Sequence, residues 1–278
     1  KMNNHHLSFE FFPPKTEEGK IKLANAHSKL SRLDPEFFSV TYGAGGSTKT
    51  FTKDTVLSIQ AAGSNAVPHI SVCADDKPSL LALLKDYEAS GITKIVALRG
   101  DLPSGMGGTK QLVYANELVA LIKEHFGGSF EILVAAYPEI HPEAESYKKD
   151  IYWLKKKFEA GASRGITQYF YNSNSYFYFI EECKKFGIET PIIPGIMPIT
   201  NYRNLVRFSD NCGADIPRWI KKRLHQYEDD VESIKDFGLD VVTHLCEDLL
   251  ANGAPGLHFY TMNQADVNLS LCKRLGFS

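Results

Sequence analysis

The 278-residue sequence lacks several features that would assign it to a class at once. No apolar run approaches the ~18 residues of a membrane-spanning helix, and no signal peptide is visible, so no membrane partner is expected. Charge of one sign is also missing: 31 Lys and Arg stand against 33 Asp and Glu, a net charge of −2. That balance gives no basic surface for nucleic acid. The five cysteines (Cys73, Cys183, Cys212, Cys246, Cys272) are odd in number, scattered, and form no C-x-x-C pair. A disulfide framework is thereby excluded, and reduced thiols in a cytoplasmic protein are expected. No strand-like run leads into a G-x-S-x-G nucleophile elbow, and no cysteine sits at a strand exit beside a histidine, which weakens covalent acyl chemistry. No H-E-x-x-H or H-x-H pair fixes a metal, although His69, Asp101, Glu139 and His141 leave a metal-dependent barrel hydrolase as an alternative.

What is present is a regular alternation. Short runs rich in Val, Ile, Phe and Tyr, bounded by Gly or Pro, predict strands at Leu7–Phe12, Phe37–Tyr42, Ala66–Val72, Lys94–Arg99 and Glu131–Tyr137. Three more follow at Gly165–Phe170, Thr190–Ile196 and Gly256–Tyr260. Between them lie segments with helical apolar spacing, such as Leu80, Leu81, Leu84 and Tyr87. Asp76 and Asn201 resemble helix N-caps, and Gly91, Gly127, Gly161 and Gly187 resemble helix ends. Eight βα alternations predict a (β/α)8 TIM barrel in one domain over residues 1–278, with the long helical stretch Asp215–Asn252 as an elaboration before the last strand. An open doubly wound sheet is the competing fold. It usually carries G-x-G-x-x-G after its first strand, where this chain has Phe-Phe-Pro-Pro.

In such a barrel, chemistry gathers where strands exit toward their helices. Polar residues recur there: Glu10, Thr41-Tyr42, His69, Arg99-Gly-Asp101, Tyr137 to His141, Gln168 and Tyr260. Glu10 is the sharpest of them. An acid inside an aromatic strand is costly unless solvated, paired or used, and partial burial would raise its pKa toward that of a proton donor. A structural salt bridge is the competing reading. His69 alone reads equally as a core histidine, Asp101 as a cap, and Lys155-Lys-Lys157 as a solvated helix face.

Seven motifs resemble the methylenetetrahydrofolate reductase family. They are Ser8-Phe-Glu-Phe-Phe-Pro-Pro14, Ser39-Val-Thr-Tyr-Gly43, Ala97-Leu-Arg-Gly-Asp-Leu-Pro103, Ala136-Tyr-Pro-Glu-Ile-His-Pro-Glu143, Ala160 to Gln168, Ile193 to Pro198 and Leu257-His-Phe-Tyr-Thr261. They run in order along essentially the whole chain. The resemblance implies non-covalent FAD passing hydride from NADH or NADPH to 5,10-methylenetetrahydrofolate, giving 5-methyltetrahydrofolate for methionine synthesis. It makes Glu10 the acid at the leaving folate nitrogen and Asp101 the acid beside flavin and folate. It places Thr41, Tyr42, Ala44, His69, Arg99, Gly100, Asp101, Ala115, Tyr137, His141, Ala144, Asp150, Lys156 and Lys157 around FAD. Asp101, Gln168, Phe208 and Tyr260 fall on the substrate, and Ala162 supports flavin retention.

Four positions depart from that pattern: Lys156 for an expected Arg, Trp153 for Asn, Gln264 for Arg and Asn204 for Gln. The resemblance also implies a homo-oligomer and, with no C-terminal regulatory domain in this sequence, no inhibition by S-adenosylmethionine. Another barrel flavoprotein, similar to proline dehydrogenase, and a binding protein without chemistry remain alternatives. Retention of both Glu10 and Asp101 argues against the last.

Overall fold

The computed structural model describes residues 4–42, 48–72, 76–99 and 114–278. Its strands are β1 (His6–Phe11), β2 (Phe37–Val40), β3 (Ala66–Ser71), β4 (Lys94–Leu98), β5 (Glu131–Ala136), β6 (Arg164–Thr167), β7 (Ile192–Ile193), β8 (Gly195–Ile196) and β9 (Gly256–Tyr260). The helices are α1 (Glu17–Leu30), α2 (Thr48–Ala61), α3 (Lys77–Ala89), α4 (Ala115–Phe126), α5 (Tyr147–Glu159), α6 (Ser173–Lys185), α7 (Tyr202–Cys212), α8 (Arg218–Tyr227), α9 (Val231–Ala251) and α10 (Asp266–Arg274). All pairings are parallel, in the order β7-β6-β5-β4-β3-β2-β1-β9-β8. β7 and β8 are halves of one strand parted by Pro194, which has no N–H to give the ladder. One half pairs with β6 and the other with β9, so the sheet nearly closes as the predicted TIM-barrel-like fold.

Local signals act as the sequence implies. Asp76 and Asn201 cap α3 and α7, their side chains accepting from Ser79 N and Asn204 N. Gly161, at φ 127°, makes the turn from α5 into β6. The stretch 215–252 is two helices rather than one. The chain turns at Glu228, at φ 51°, and Asp230 caps the new helix by accepting from Ser233 N.

The period of two in the strands separates two cores. In β1, Leu7, Phe9 and Phe11 face the helices, where Phe9 stacks between Phe38 and Phe259. Inside the barrel, Phe37, Val67, Val96, Leu133 and Ile166 form an apolar layer, one from each of β2 to β6. Beneath it, at the strand starts, lies a charged layer. Arg164 donates to Glu36 (2.7 Å) and Glu131 (2.8 Å), Lys94 stands 3.8 Å from Glu131, and His6 Nδ1 is 2.7 Å from Glu36. The opposite end, where the strands exit, holds the remaining polar residues.

Candidate active site

Glu10 lies on the inward face near the exit of β1, its side chain 17% exposed. His69 Nε2, from β3, is 3.1 Å from its carboxylate, and the buried His258 Nε2, from β9, is 3.9 Å away. Burial pushes the Glu10 carboxyl up, but His258 and His69 together outweigh it and hold the group at about 2. This reverses the expectation of a raised pKa. An acid between two imidazoles is held ionised, and neither imidazole was attached to it by the motif reading. His258 is itself lowered by burial, against the pull of Glu10. Tyr260, in register with Glu10, donates its hydroxyl to Thr167 O at 2.6 Å and packs on Gly195.

A cavity of about 480 Å³ opens at the exits of β4 and β5. Arg99 from the exit of β4, Tyr137 and His141 after β5, and Asp150 and Lys157 from α5 line it. The half-buried Lys157 donates from Nζ to Ala135 O at 2.7 Å, and desolvation lowers its pKa to about 8 against the pull of Asp150. Asp150 is raised by burial and accepts from His141 N at 2.8 Å. His141 Nδ1 accepts from Glu143 N at 3.0 Å, which leaves Nε2 as the protonated nitrogen of a neutral ring. Its ring meets Tyr137 edge-on at 4.6 Å.

The family profile for methylenetetrahydrofolate reductase matches residues 1–276. The chain belongs to the methylenetetrahydrofolate reductase family. It is 42% identical over 273 residues to the 5,10-methylenetetrahydrofolate reductase of Escherichia coli (strain K12), covering 98% of this chain and 90% of that one. To methylenetetrahydrofolate reductase (NADH) 1 of Arabidopsis thaliana it is 35% identical, covering 97% of this chain and 48% of the plant protein. Among solved structures, a Clostridium thermocellum protein that binds two copies of 5-methyl-5,6,7,8-tetrahydrofolic acid is similar at a TM-score of 0.67. It shares 16% identity, with 98% of this chain and 96% of that one covered, and so speaks for the fold alone.

The residues that the methylenetetrahydrofolate reductase motifs singled out fall into several groups. Arg99, Ala115, Tyr137, His141, Ala144, Asp150 and Lys157 share the cavity. His69 instead joins Glu10. Thr41 and Tyr42 follow β2, where Thr41 N donates to Phe11 O and Thr41 O accepts from the Thr52 hydroxyl. Lys156 does not line the cavity; it pairs with Glu159 at 3.1 Å on the outside of α5. Ala44, Gly100 and Asp101 lie outside the described residues.

Gln168 borders a small cleft with Tyr137, Glu139 and Tyr169. Phe208 lines a wider groove of about 790 Å³, and both Asn204 and Gln264 line the same groove. Trp153, where the resemblance expects Asn, gives the cavity an aromatic wall, stacked on Tyr114 at 5.4 Å. The buried Ala162 donates its N–H to Lys157 O at 3.2 Å, tying the end of α5 that bears that lysine.

Of the four residues weighed as metal ligands, the three among the described residues do not form a set. His69 goes to Glu10, His141 takes part in its own loop, Glu139 accepts from Asp215 N, and Asp101 is outside the described residues. Gly161-Ala-Ser-Arg-Gly165 has elbow spacing, but it turns from helix into strand, and Ser163 there donates to Glu131. Motif reading missed roles for His6, Ser8 and His258. The signal was available in β1, where His6, Ser8 and Glu10 alternate onto one face.

Proposed function

We propose that this chain reduces 5,10-methylenetetrahydrofolate to 5-methyltetrahydrofolate, using FAD to carry hydride from NADH or NADPH in a ping-pong cycle. The observation that supports this reading is Glu10, held by two histidines near the barrel exit, together with a cavity whose lining includes the cationic Arg99 and Lys157. One feature of that cavity tests the fit. Arg99 Nε is buried without a hydrogen-bond partner among the described residues, and a phosphate oxygen would satisfy it. Arg99 and Lys157 suit a pyrophosphate, Asp150 a ribose hydroxyl, and Tyr137 a flat ring.

Bound there, FAD would supply hydride carriage, from nicotinamide on to folate. The chain's own task is the proton. Methylenetetrahydrofolate must open to a 5-iminium cation before it accepts hydride, and the leaving nitrogen then needs a proton, which Glu10 delivers. In the wider groove, Phe208 offers a face for folate or nicotinamide in turn, and Gln168 and Tyr260, at the exits of β6 and β9, are assigned to the folate by the family motifs. Asp101, by its place in the family motif, stabilises the cation. The whole chain acts as one catalytic barrel domain, cytoplasmic and homo-oligomeric, supplying methyl groups for methionine synthesis.

The protein purified with FAD should be yellow. Anaerobic NADH or NADPH should bleach the flavin band, and methylenetetrahydrofolate should restore it. A colourless protein that takes up no FAD, or one carrying stoichiometric zinc, overturns the reading. The same titration ranks the two nicotinamides.

A further inference from the structure

The reduction consumes one proton per folate, yet His258 and His69 hold the Glu10 carboxyl well below the usual carboxylate range. The hydrogen bonds behind it show where a proton can come from. His258 Nδ1 is 2.7 Å from Ser8 Oγ, and Ser8 Oγ is 2.7 Å from His6 Nε2. His6 Nδ1 is 2.7 Å from Glu36, which Arg164 also holds. Glu10, Ser8 and His6 descend the inward face of β1 beside Tyr260, His258 and Gly256 of β9. The line therefore runs from the catalytic rim, through the barrel interior, to the charged layer at the opposite mouth.

Donor and acceptor counts allow this line three states, two of which leave His258 neutral. Glu36 is a carboxylate bound by Arg164 and can only accept, so His6 Nδ1 always keeps its proton. With His6 cationic, His6 Nε2–H donates to Ser8, the Ser8 hydroxyl donates to His258 Nδ1, and His258 Nε2–H faces the Glu10 carboxylate. With His6 neutral, every bond reverses: His258 Nδ1–H donates to Ser8, Ser8 donates to His6 Nε2, and the bare His258 Nε2 faces a protonated Glu10. A third assignment, with His6 neutral and His258 cationic between Ser8 and an ionised Glu10, also satisfies each contact; burial of His258 disfavours it.

We propose that His6, Ser8 and His258 form a proton relay that reloads Glu10 from the N-terminal mouth of the barrel. This rests on the folate-reductase reading above. In one passage the His6 Nε2 proton moves to Ser8 Oγ, the Ser8 proton moves to His258 Nδ1, and the His258 Nε2 proton moves to Glu10. His6 loses one positive charge and Glu10 one negative charge, so no charge remains inside. Solvent at the mouth returns a proton to His6, whose side chain is 11% exposed beside the more open Glu36. Rotation of the Ser8 hydroxyl and the His258 ring resets the line. The 3.9 Å between His258 and Glu10 must shorten during transfer, as catalytic hydrogen bonds do in a loaded complex. His69, also on Glu10 and nearer the rim, offers the competing entry.

The test separates the two half-reactions by stopped flow on the FAD-loaded protein. Ser8→Ala removes the middle carrier, and His6→Gln keeps a hydrogen-bonding side chain that cannot carry the proton onward. Each variant should slow reoxidation of the flavin by methylenetetrahydrofolate tenfold or more while leaving its reduction by nicotinamide unchanged. In mixtures of light and heavy water, the wild-type reoxidation rate should curve with deuterium fraction, as several protons move, and the Ser8→Ala rate should fall on a straight line. Unchanged reoxidation in both variants, or equal loss in both half-reactions, overturns the relay and leaves the reductase reading standing. A wild type whose reduced flavin ignores methylenetetrahydrofolate overturns both.

Discussion

Glu10 is placed under opposed influences, and their balance decides what it can do. Its surroundings raise the pKa by excluding water, and two imidazoles lower it further than burial raises it. A carboxylate so held does not keep a proton by itself, so under the proposed function its acidity is set when substrate arrives. Glu10→Gln keeps the shape and removes the proton. It should bind FAD and be reduced by nicotinamide as the wild type is, yet lose about 100- to 10,000-fold in folate turnover, the usual range for a general acid. Loss of flavin reduction in this variant would place Glu10 in the wrong half of the cycle. The position of Glu10 was legible in the sequence, because an acid in Phe-Glu-Phe is conspicuous. The direction of its pKa was not, because its partners lie 59 and 248 residues away in β3 and β9.

At the scale of the element, the split strand β7–β8 matters most. Gly195 begins β8, and a Cβ there would come within 2.2 Å of Thr167 O and 2.6 Å of the Tyr260 side chain. Only a bare backbone leaves room for Tyr260 to cross to Thr167 inside the barrel. Gly195→Ala should therefore destabilise the protein by about 1–3 kcal/mol in urea unfolding, the usual cost of overpacking. Gly128→Ala, where a Cβ meets nothing within 4 Å, is the matched control and should leave the midpoint in place. Sequence reading found this strand as one run, Thr190–Ile196, since Ile and Pro mark it plainly. It could not show the break at Pro194, which depends on two different neighbours accepting the two halves.

For the molecule as a whole, the charged layer at the N-terminal mouth ties β1, β2, β5 and β6 together around Glu36 and Arg164. Hydrogen bonds from His6 and Arg164 outweigh burial and bring the Glu36 carboxyl to about 2. A carboxyl lowered from 4.5 on folding stabilises fully above that pH, and its contribution is lost as pH falls toward 2. Glu36→Gln should lower stability at pH 7 by about 1–2 kcal/mol. That is less than the roughly 3–5 kcal/mol of a broken buried pair, because solvent reaches Glu36. The difference from wild type should shrink as pH falls from about 4.5 to 2. Urea unfolding across that range measures it, and a constant difference would assign the effect to packing instead.

The sequence by itself determined the alternation of strands and helices, the caps at Asp76 and Asn201, and the family to which the motifs belong. Those features are local: they depend on side-chain periodicity, backbone preference and short runs of residues. Tertiary structure alone decided which polar residues meet. Closure of the barrel sets β9 beside β1, so that Ser8 and His258, 250 positions apart, lie 2.7 Å from each other. The same closure puts His69 and His258 on Glu10 and holds an expected proton holder as a carboxylate. Charge in a barrel interior is governed by distance through space, and no spacing along the chain encodes it.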